Sequence, residues 1–169
     1  LLFIAMGDMR ALEHLYTALY PNAYSLALAV TKDPASAEDI AQETFVRVFT
    51  FAKKYREQGY ARAWVLRITR NLALNALRSA KTVSVEETAE LSAADDAFAR
   101  AEAGDLAREL LMRLKPGQRQ VVVLRSKGYT HREIARGMAT NEATVRWQYG
   151  AALKKLKAAA EHFAALGEG

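Results

Sequence analysis

The side chains with the clearest chemical potential lie in one basic segment near the carboxyl end of the chain, residues 142–156. Arg146 and Gln148 carry donor groups that can bond the edges of guanine and adenine in two places at once. Thr144 can bond a base or touch the thymine methyl group, and Lys154 can neutralise a phosphate. On a helical wheel they share an outward face and its flanks with Ala143, Trp147 and Lys155. These residue types at this spacing predict a surface that reads DNA.

Two helices and a tight turn are predicted to position this face. Thr130 and Glu133 have the spacing of a capping box, which starts a short helix that can bury Ile134, Ala135 and Met138. Asn141 is suited to cap a second helix from Glu142. The predicted inward arc of that helix is Val145, Tyr149, Ala152, Leu153 and Leu156. This outline is typical of a helix-turn-helix, although a solvated amphipathic helix packed on its neighbour remains the alternative.

A second polar surface is predicted on a helix in the first half of the chain. Asp33 can cap this helix and Pro34 fits its first position, and the apolar spacing continues to about Tyr55. The predicted buried arc is Ala37, Ala41, Phe45, Val48, Phe49 and Ala52. The opposite arc places Asp39, Gln42, Glu43, Val46 and Thr50 on one exposed stripe.

Cations and aromatic rings interleave in the loop that follows, at Lys53, Lys54, Tyr55, Arg56 and Tyr60. The next helix, predicted from about Ala61 to Ser79, has an apolar side and a basic stripe. The apolar side is Trp64, Val65, Ile68, Leu72 and Ala76, and the stripe is Arg67, Arg70, Asn71 and Arg78. Basic groups beside exposed rings can hold the unstacked bases of a single strand. Alternatively, Tyr55 and Trp64 are core residues and the arginines are solvated, and the apolar arc favours a core position for Trp64.

Composition and charge predict an all-α protein of two bodies. The 169 residues are 51% hydrophobic, enough for one large or two small domains. Residues 1–79 hold 10 Lys/Arg against 7 Asp/Glu, residues 80–104 hold 2 against 6, and residues 105–169 hold 12 against 6. Helical periodicity fails in the acidic segment, which predicts a flexible linker over residues 80–96. The predicted domains are therefore residues 1–79 and 97–169.

The remaining elements follow from caps and breakers. Gly7-Asp8 marks a plausible start for helix over Met9–Thr31, and Pro21 predicts a break or kink between two helices there. In the second domain, one helix is predicted from about Ala97 to Leu114, broken by Pro116-Gly117, and another from about Gln118 to Ser126.

Several functional classes find no support in the sequence. It has no phosphate-binding loop, nucleophile elbow or paired-histidine zinc motif, and its three His residues are far apart. It has no Cys, and so neither disulfides nor thiolate metal sites. Residues 1–6 are too short for a signal segment, and no later segment approaches the length of a membrane span. We predict a soluble cytoplasmic protein that is not an enzyme, with no cofactor, metal or membrane insertion.

Taken together, these segments resemble the bacterial extracytoplasmic-function (group IV) sigma factors. GDMRALEHLY, DPASAEDIAQETFVRVF and RAWVLRITRNLALNALR look like sigma region two, in the right order. LKPGQRQVVVLRSKGYTHREIARGMATNEATVR looks like sigma region four. The resemblance covers nearly the whole chain, and both blocks in this order with a short linker make it specific.

The resemblance implies binding to core RNA polymerase and to two promoter elements. It assigns Asp39, Gln42, Glu43 and Val46 to a coiled coil of the largest polymerase subunit. It assigns the minus-ten element, with a flipped base, to Lys53, Lys54, Tyr55, Arg56, Tyr60, Arg62, Arg67, Arg70 and Asn71. It assigns the minus-thirty-five element to His131, Arg132, Ala143, Thr144, Arg146, Trp147, Gln148 and Lys154. Trp147-Gln148 departs from the family's usual small-then-Arg pair, so we expect either weaker binding through region four or an unusual preferred sequence.

Rival functions are distinguished by particular features. A sigma-like decoy that binds an anti-sigma factor without touching DNA would be favoured by Arg67, Arg70 and Arg146 buried in intramolecular pairs. An ordinary helix-turn-helix regulator would need the first domain as a dimerisation or effector domain, but the polar Asp39–Glu43 stripe is unsuited to a dimer seam. The resemblance also implies an anti-sigma partner, because the family is often held inactive in this way.

Overall fold

Every regular element in the part of the chain that the structure describes is a helix, which confirms the predicted all-α fold. The computed structural model describes residues 1–56, 59–83 and 105–167. The N-terminal bundle contains α1 (Leu2–Ala5), α2 (Met9–Thr31), α3 (Pro34–Phe51) and α4 (Ala61–Val83). The C-terminal bundle contains α5 (Asp105–Met112), α6 (Pro116–Ser126), α7 (His131–Gly137) and α8 (Glu142–Gly167). Residues 84–96 of the predicted linker and residues 97–104 of the predicted helix lie outside these ranges.

Helix α2 is one continuous element, so the predicted division into two helices at Pro21 is wrong. It begins as predicted, since the Asp8 carboxylate accepts hydrogen bonds from the backbone of Arg10 and Ala11. Proline inside a helix removes one donor and crowds the preceding turn, at a cost of about 3 kcal/mol or more. Leu19 and Ala23, on either side of Pro21, are both buried in one cluster with residues of α3 and α4. Packing on both sides of the proline therefore holds the helix together.

Helix α3 begins at the predicted cap but ends earlier than predicted. The Asp33 carboxylate accepts a hydrogen bond from the backbone of Ser36 at 2.9 Å, and Pro34 occupies the first turn. The helix ends at Phe51 and tightens into a 3-10 turn over Ala52–Lys54. The predicted arc of Ala37, Ala41, Phe45, Val48 and Ala52 is buried. Phe49 was wrongly included, because it is 43% exposed at the edge of a groove between α2 and α3.

Helix α4 is buried on two sides, whereas its sequence pattern predicted a single apolar side. It extends four residues past the predicted end, to Val83. Val65 is the one residue of the predicted apolar side that is fully buried. Four residues outside that predicted side are buried as well: Ala63, Leu66, Thr69 and Ala73. The Thr69 hydroxyl meets the Thr44 hydroxyl of α3 at 3.2 Å. The other side of α4 packs against α7 of the C-terminal bundle.

The predicted helix-turn-helix is confirmed in α7 and α8. The Thr130 hydroxyl accepts from the Glu133 backbone, and the Glu133 carboxylate accepts from the Thr130 backbone at 2.8 Å. Asn141 accepts from the Thr144 backbone at 2.7 Å and caps α8. Between the helices, Ala139 adopts a left-handed conformation with φ of 52°. Ile134, Ala135 and Met138 are buried as predicted.

The inward face of α8 is narrower than predicted. Val145 and Ala152 are fully buried, and Tyr149 and Leu156 are half-buried. Leu153, by contrast, is 45% exposed. Val145 and Ala152 are seven residues apart and share one face, whereas Leu153 is turned about 100° from Ala152 around the helix. In the same bundle, α6 begins at Pro116, two residues before the predicted Gln118.

The two bundles share one hydrophobic core. α2 packs on α6 and α4 packs on α7, and the largest buried cluster contains Leu26, Leu28 and Leu66 together with Leu124 and Ile134. A buried polar group also joins the bundles, because the Asn22 amide donates to the Tyr129 hydroxyl at 3.2 Å. Burial raises the pKa of the Tyr129 hydroxyl, which keeps it neutral.

Arg119 also forms polar contacts between the bundles, and only 3% of its surface is exposed. Its guanidinium donates to the carbonyls of Leu111 and Leu114 at 3.1 and 3.2 Å, at the end of α5. It also donates to the carbonyl of Ala29 at 3.4 Å, in the last turn of α2. One cation therefore lies at the carboxyl ends of two helices, where the helix dipoles favour positive charge.

Candidate polymerase and nucleic-acid interfaces

The exposed face of α8 carries most of the side chains predicted to read the minus-thirty-five element. Trp147 is 69% exposed, and Arg132, Ala143, Arg146 and Lys154 are exposed beside it. The Arg146 guanidinium is paired with the Glu142 carboxylate one turn earlier, at 2.6 Å. This i, i+4 pair holds the arginine along the helix surface, where a pair is worth only about 0.3–0.5 kcal/mol, so the contact can exchange for a base edge.

Three other predicted members of this face are partly buried. Thr144 and Gln148 are half-buried, and Gln148 lies against Gly117 at the start of α6. His131 is half-buried, with its ring centroid 5.7 Å from that of Tyr149. Desolvation, then the charges of Arg125 and Arg146, lower the pKa of the His131 imidazole, so it is neutral at pH 7. These three side chains are therefore less accessible to DNA than Arg146 and Trp147.

A cavity of about 220 Å³ lies where the minus-ten surface was predicted. Its predicted members are Lys54, Tyr55, Arg56, Tyr60 and Arg67, and its further members are Ala63, Trp64 and Arg136. The rings of Tyr55 and Trp64 are 5.3 Å apart at an interplanar angle of 54°. Trp64 is half-buried, with one part against the core of the N-terminal bundle and another lining the cavity. The predicted core position of Trp64 is therefore partly confirmed, and its contact with an unstacked base stays a prediction.

The remaining predicted minus-ten residues are not gathered at this cavity. Arg62 and Arg70 are turned toward the C-terminal bundle, where they contact Glu133 and Gln120 respectively. Lys53 lines a separate cavity beside α1, and Asn71 is exposed on α4. Arg136 was not predicted, because it belongs to the other bundle and nothing in the local sequence links it to Tyr60.

The predicted stripe on α3 is exposed, and an apolar groove runs beside it. Asp39, Gln42 and Val46 are exposed and Glu43 is half-buried in an ion pair with Arg47 at 2.7 Å. Gln42 and Val46 also line a cavity of about 460 Å³ between α2 and α3. Its other walls are Met9, Leu12, Glu13, Tyr16, Phe45 and Phe49. The sequence predicted the polar stripe but not the groove. Phe49, which was expected in the core, instead lines the groove.

Two family descriptions match the chain in consecutive segments. "Sigma-70 region 2" matches residues 15–83, and "Sigma-70, region 4" matches residues 105–156. The chain belongs to the extracytoplasmic-function sigma factors of the sigma-70 family. We call residues 15–83 region two and residues 105–156 region four. Members of this family are transcription initiation factors rather than enzymes.

Two curated sigma factors illustrate the similarity. The "Probable RNA polymerase sigma factor RfaY" of Xanthomonas campestris pv. campestris is 31% identical over 153 residues. That alignment covers 84% of this chain but only 38% of the relative. The "ECF RNA polymerase sigma factor SigK" of Mycobacterium tuberculosis is 29% identical over 164 residues, which cover 91% of this chain and 88% of the relative.

Two solved structures share the fold. The sigma factor RpoE in complex with the anti-sigma factor NepR, from Bartonella quintana, superposes with a TM-score of 0.72 and 17% identity. This match covers 88% of this chain and 96% of that one. CnrH in complex with the cytosolic domain of CnrY gives a TM-score of 0.71 and 23% identity, over 94% of this chain and 93% of that one.

The described residues contain neither a membrane-spanning helix nor a cluster of metal-ligating side chains. None of the helices there has both the length and the hydropathy needed to cross a bilayer. Within the same ranges, no three His, Asp or Glu side chains converge as a metal site would require.

Proposed function

We propose that this chain is an alternative sigma factor, which binds core RNA polymerase, recognises two promoter elements and directs transcription initiation without catalysis of its own. The observation that carries this proposal is the presence of sigma regions two and four in one chain and in that order. Each region presents a different surface suited to its part of the task. The proposed domains are residues 1–79 and 97–169, joined by a linker over residues 80–96, in the cytoplasm.

Region four is proposed to read the minus-thirty-five element in the major groove through the exposed face of α8. Arg146 is the proposed base-reading residue, because its guanidinium can bond guanine in two places. Trp147 stands next to it with 69% of its surface exposed and can contact bases or sugars. His131, Arg132, Ala143, Thr144, Gln148 and Lys154 complete the proposed contact set. Of these, Lys154 and Arg132 are exposed cations suited to phosphate.

Region two is proposed to hold an unpaired base of the minus-ten element. Extruding a base costs a few kcal/mol, which stacking and hydrogen bonds in a pocket must offset. The cavity with Tyr55, Tyr60 and Trp64 provides rings, and Arg67 provides a donor at its wall. Stacking on an aromatic ring is worth about 1–3 kcal/mol per base. The other proposed contacts are Lys53, Lys54, Arg56, Arg62, Arg70 and Asn71.

Core polymerase is proposed to bind the α3 stripe of Asp39, Gln42, Glu43 and Val46. The stripe combines carboxylates with an exposed apolar side chain and lies beside the groove between α2 and α3. Interfaces of this kind have an apolar centre and a polar rim. The groove supports the proposal because it supplies the apolar centre that the polar stripe lacks.

An anti-sigma protein is a further proposed partner. The support is the likeness to the sigma factor RpoE, whose structure was determined in complex with the anti-sigma factor NepR. CnrH, which shares the fold, was likewise solved in a complex, with the cytosolic domain of CnrY. The decoy alternative is less well supported than the sigma function. Arg146 is exposed and bonded only along its own helix, which leaves the reading face accessible. Arg67 and Arg70 do bond region four, at the Arg136 carbonyl and the Gln120 amide oxygen.

The test is transcription by purified core polymerase on a pooled library of promoter fragments, with and without the protein. We expect protein-dependent transcripts whose upstream sequences share two motifs. Core polymerase alone is the control, and binding of the protein to core is measured separately by gel filtration. Core binding without any protein-dependent transcript would contradict the sigma function and favour the decoy.

A further inference from the structure

A large apolar side chain is exposed on the proposed reading face of region four. Trp147 is 69% exposed, although aromatic rings contribute most to stability and binding when they are covered. Among the described residues of the C-terminal bundle, Leu153 is the other large apolar side chain that is exposed. Single apolar residues are common on protein surfaces, so exposure alone assigns no partner to Trp147.

Small residues leave the Trp147 ring accessible on both sides along α8. Ala143 precedes it by one turn, Gly150 follows it by three residues, and both are exposed. Side chains on a helix lean toward its amino end, so we expect the ring to lie over the turn of Ala143. In a helix-turn-helix, the amino-terminal residues of the second helix contact the base edges. The ring is therefore placed where base edges lie in the major groove.

Gly150 indicates that a partner approaches the same face closely. Beyond its own helix, no atom of the described chain lies within 4 Å of the Cβ atom that another residue would have there. Its φ is not positive, so the backbone does not require glycine either. Glycine inside a helix is less favourable than any residue except proline. The folded chain thus gives no reason for this glycine, whereas a surface that comes close to α8 does.

The charged groups beside the ring match duplex DNA. Arg146 and Lys154 are exposed on α8, and Arg132 is exposed on α7. Such cations are attracted by phosphates, and an arginine can bond a guanine in two places. The apolar group that base edges present in the major groove is the C5-methyl group of thymine. An indole ring next to Arg146 can cover that methyl group while the guanidinium bonds a guanine.

We propose that Trp147 determines part of the minus-thirty-five specificity: its indole ring covers the C5-methyl group of a pyrimidine that neighbours the guanine bound by Arg146. This inference rests on the proposed function of α8. Thymine carries this methyl group and so does 5-methylcytosine, whereas uracil and cytosine lack it. Trp147 thus selects the methyl group and not the hydrogen-bonding pattern of the base pair. Burial of one methyl group is worth about fourfold in affinity.

Removal of the methyl group alone is the first test. On a promoter obtained from the library transcription, each thymine of the minus-thirty-five element is replaced in turn by deoxyuridine, which keeps the hydrogen-bonding groups. Binding of the reconstituted holoenzyme to the fluorescent duplexes is measured by anisotropy. At one position beside a guanine, we expect about fourfold weaker binding of the deoxyuridine duplex. Equal binding of all these duplexes would overturn the proposal.

Replacement of the ring shows whether Trp147 is responsible. Trp147→Ala should bind the thymine duplex about fourfold more weakly than the wild type, and deoxyuridine should have no further effect. The matched control is Leu153→Ala, which removes the other exposed large apolar side chain and should keep the full preference for the methyl group. Unchanged DNA affinity of Trp147→Ala would overturn the proposal and indicate a protein partner for the ring.

Transfer of the methyl group to another base pair is the second test. At the sensitive position, the thymine–adenine pair is replaced by a cytosine–guanine or a 5-methylcytosine–guanine pair. The wild-type holoenzyme should bind the methylated duplex about fourfold more tightly than the unmethylated one. Trp147→Ala should bind the two equally. Equal binding by the wild type would overturn the proposal, because the thymine preference would then come from hydrogen bonds.

Transcription separates this proposal from the sigma function itself. If the holoenzyme transcribes from library promoters but tolerates every deoxyuridine, the sigma function stands and the role of Trp147 fails. If the chain supports no transcription, the sigma function fails. The free chain then selects duplexes from a random library by gel shift, and the deoxyuridine and Trp147→Ala comparisons are made on those. Selection of no duplex would overturn the role of Trp147 as well.

Discussion

Arg119 should be one of the most costly residues to replace, although it is not part of any proposed interface. We consider Arg119→Met, which keeps most of the side-chain volume and removes the charge. Three carbonyl oxygens lose a donor, at Leu111, Leu114 and Ala29. Hydrogen bonds to charged groups contribute about 1.5–3 kcal/mol each, which would sum to about 5–9 kcal/mol if they were independent.

Two effects reduce that sum. The buried guanidinium is desolvated in the wild type, and methionine recovers several kcal/mol of that penalty. The Leu111 carbonyl also keeps another donor, the backbone N–H of Leu114 at 3.1 Å. We therefore expect Arg119→Met to lower the free energy of unfolding by about 3 kcal/mol. For a chain of this size the midpoint of thermal unfolding should fall by about 6–12 °C.

Urea denaturation followed by circular dichroism at 222 nm measures this change. The control is Arg113→Met, because Arg113 lies on the surface and is ion-paired with Glu109 at 2.7 Å. Such an exposed pair is worth about 0.3–0.5 kcal/mol. Arg119→Lys should be intermediate, since it keeps the charge but not the planar group that reaches three acceptors. A loss for Arg119→Met of less than about 1 kcal/mol, comparable to the control, would refute the reasoning.

Three further outcomes are expected. Asp39→Lys with Glu43→Lys should weaken binding to core polymerase at least about tenfold, and unchanged affinity in a pull-down titration would contradict the interface. The melting curve should shift only slightly, because the exposed Glu43–Arg47 pair is worth about 0.3–0.5 kcal/mol. Arg146→Ala should cost about 1–3 kcal/mol on the selected promoter but not on scrambled DNA, whereas an equal loss on both in a gel-shift titration would make Arg146 a phosphate contact. Asp33→Ala should destabilise by about 1 kcal/mol at neutral pH. Hydrogen bonds from Ser36 lower the pKa of Asp33, so urea midpoints of the two proteins should converge as pH falls below about 4.

The helix boundaries set by local chemistry could be predicted from the sequence. Asp33, Asn141 and the Thr130–Glu133 pair act within one turn of the residues they cap. These capping hydrogen bonds join residues within one helical turn, so they form whatever the rest of the chain packs against. The exposed faces of α3 and α8 were predictable for the same reason, because helical spacing alone determines which residues share a side.

The errors arose where tertiary contacts outweighed local signals. Pro21 lies inside α2 because the helix packs on both sides of it, whereas Phe49 and Leu153 are exposed because no element covers them. The contact between Arg136 and Tyr60 joins residues 76 positions apart, and no periodicity in either segment indicates it. The residue types of the candidate site could therefore be read from the sequence, but the contact that Arg136 makes with it could not.

The left-handed conformation of Ala139 has a consequence for how the helix-turn-helix can change over evolution. This conformation costs a residue with a Cβ atom roughly 1–2 kcal/mol, and glycine would avoid that cost. The turn forms nevertheless, because Ile134, Met138 and Val145 are buried together across it. Its shape is thus inherited from the two helices and not from the preferences of its own residues. Lineages can exchange Ala139 as long as those three apolar positions and the Asn141 cap persist, and the proposed angle at which α8 meets DNA is preserved with them.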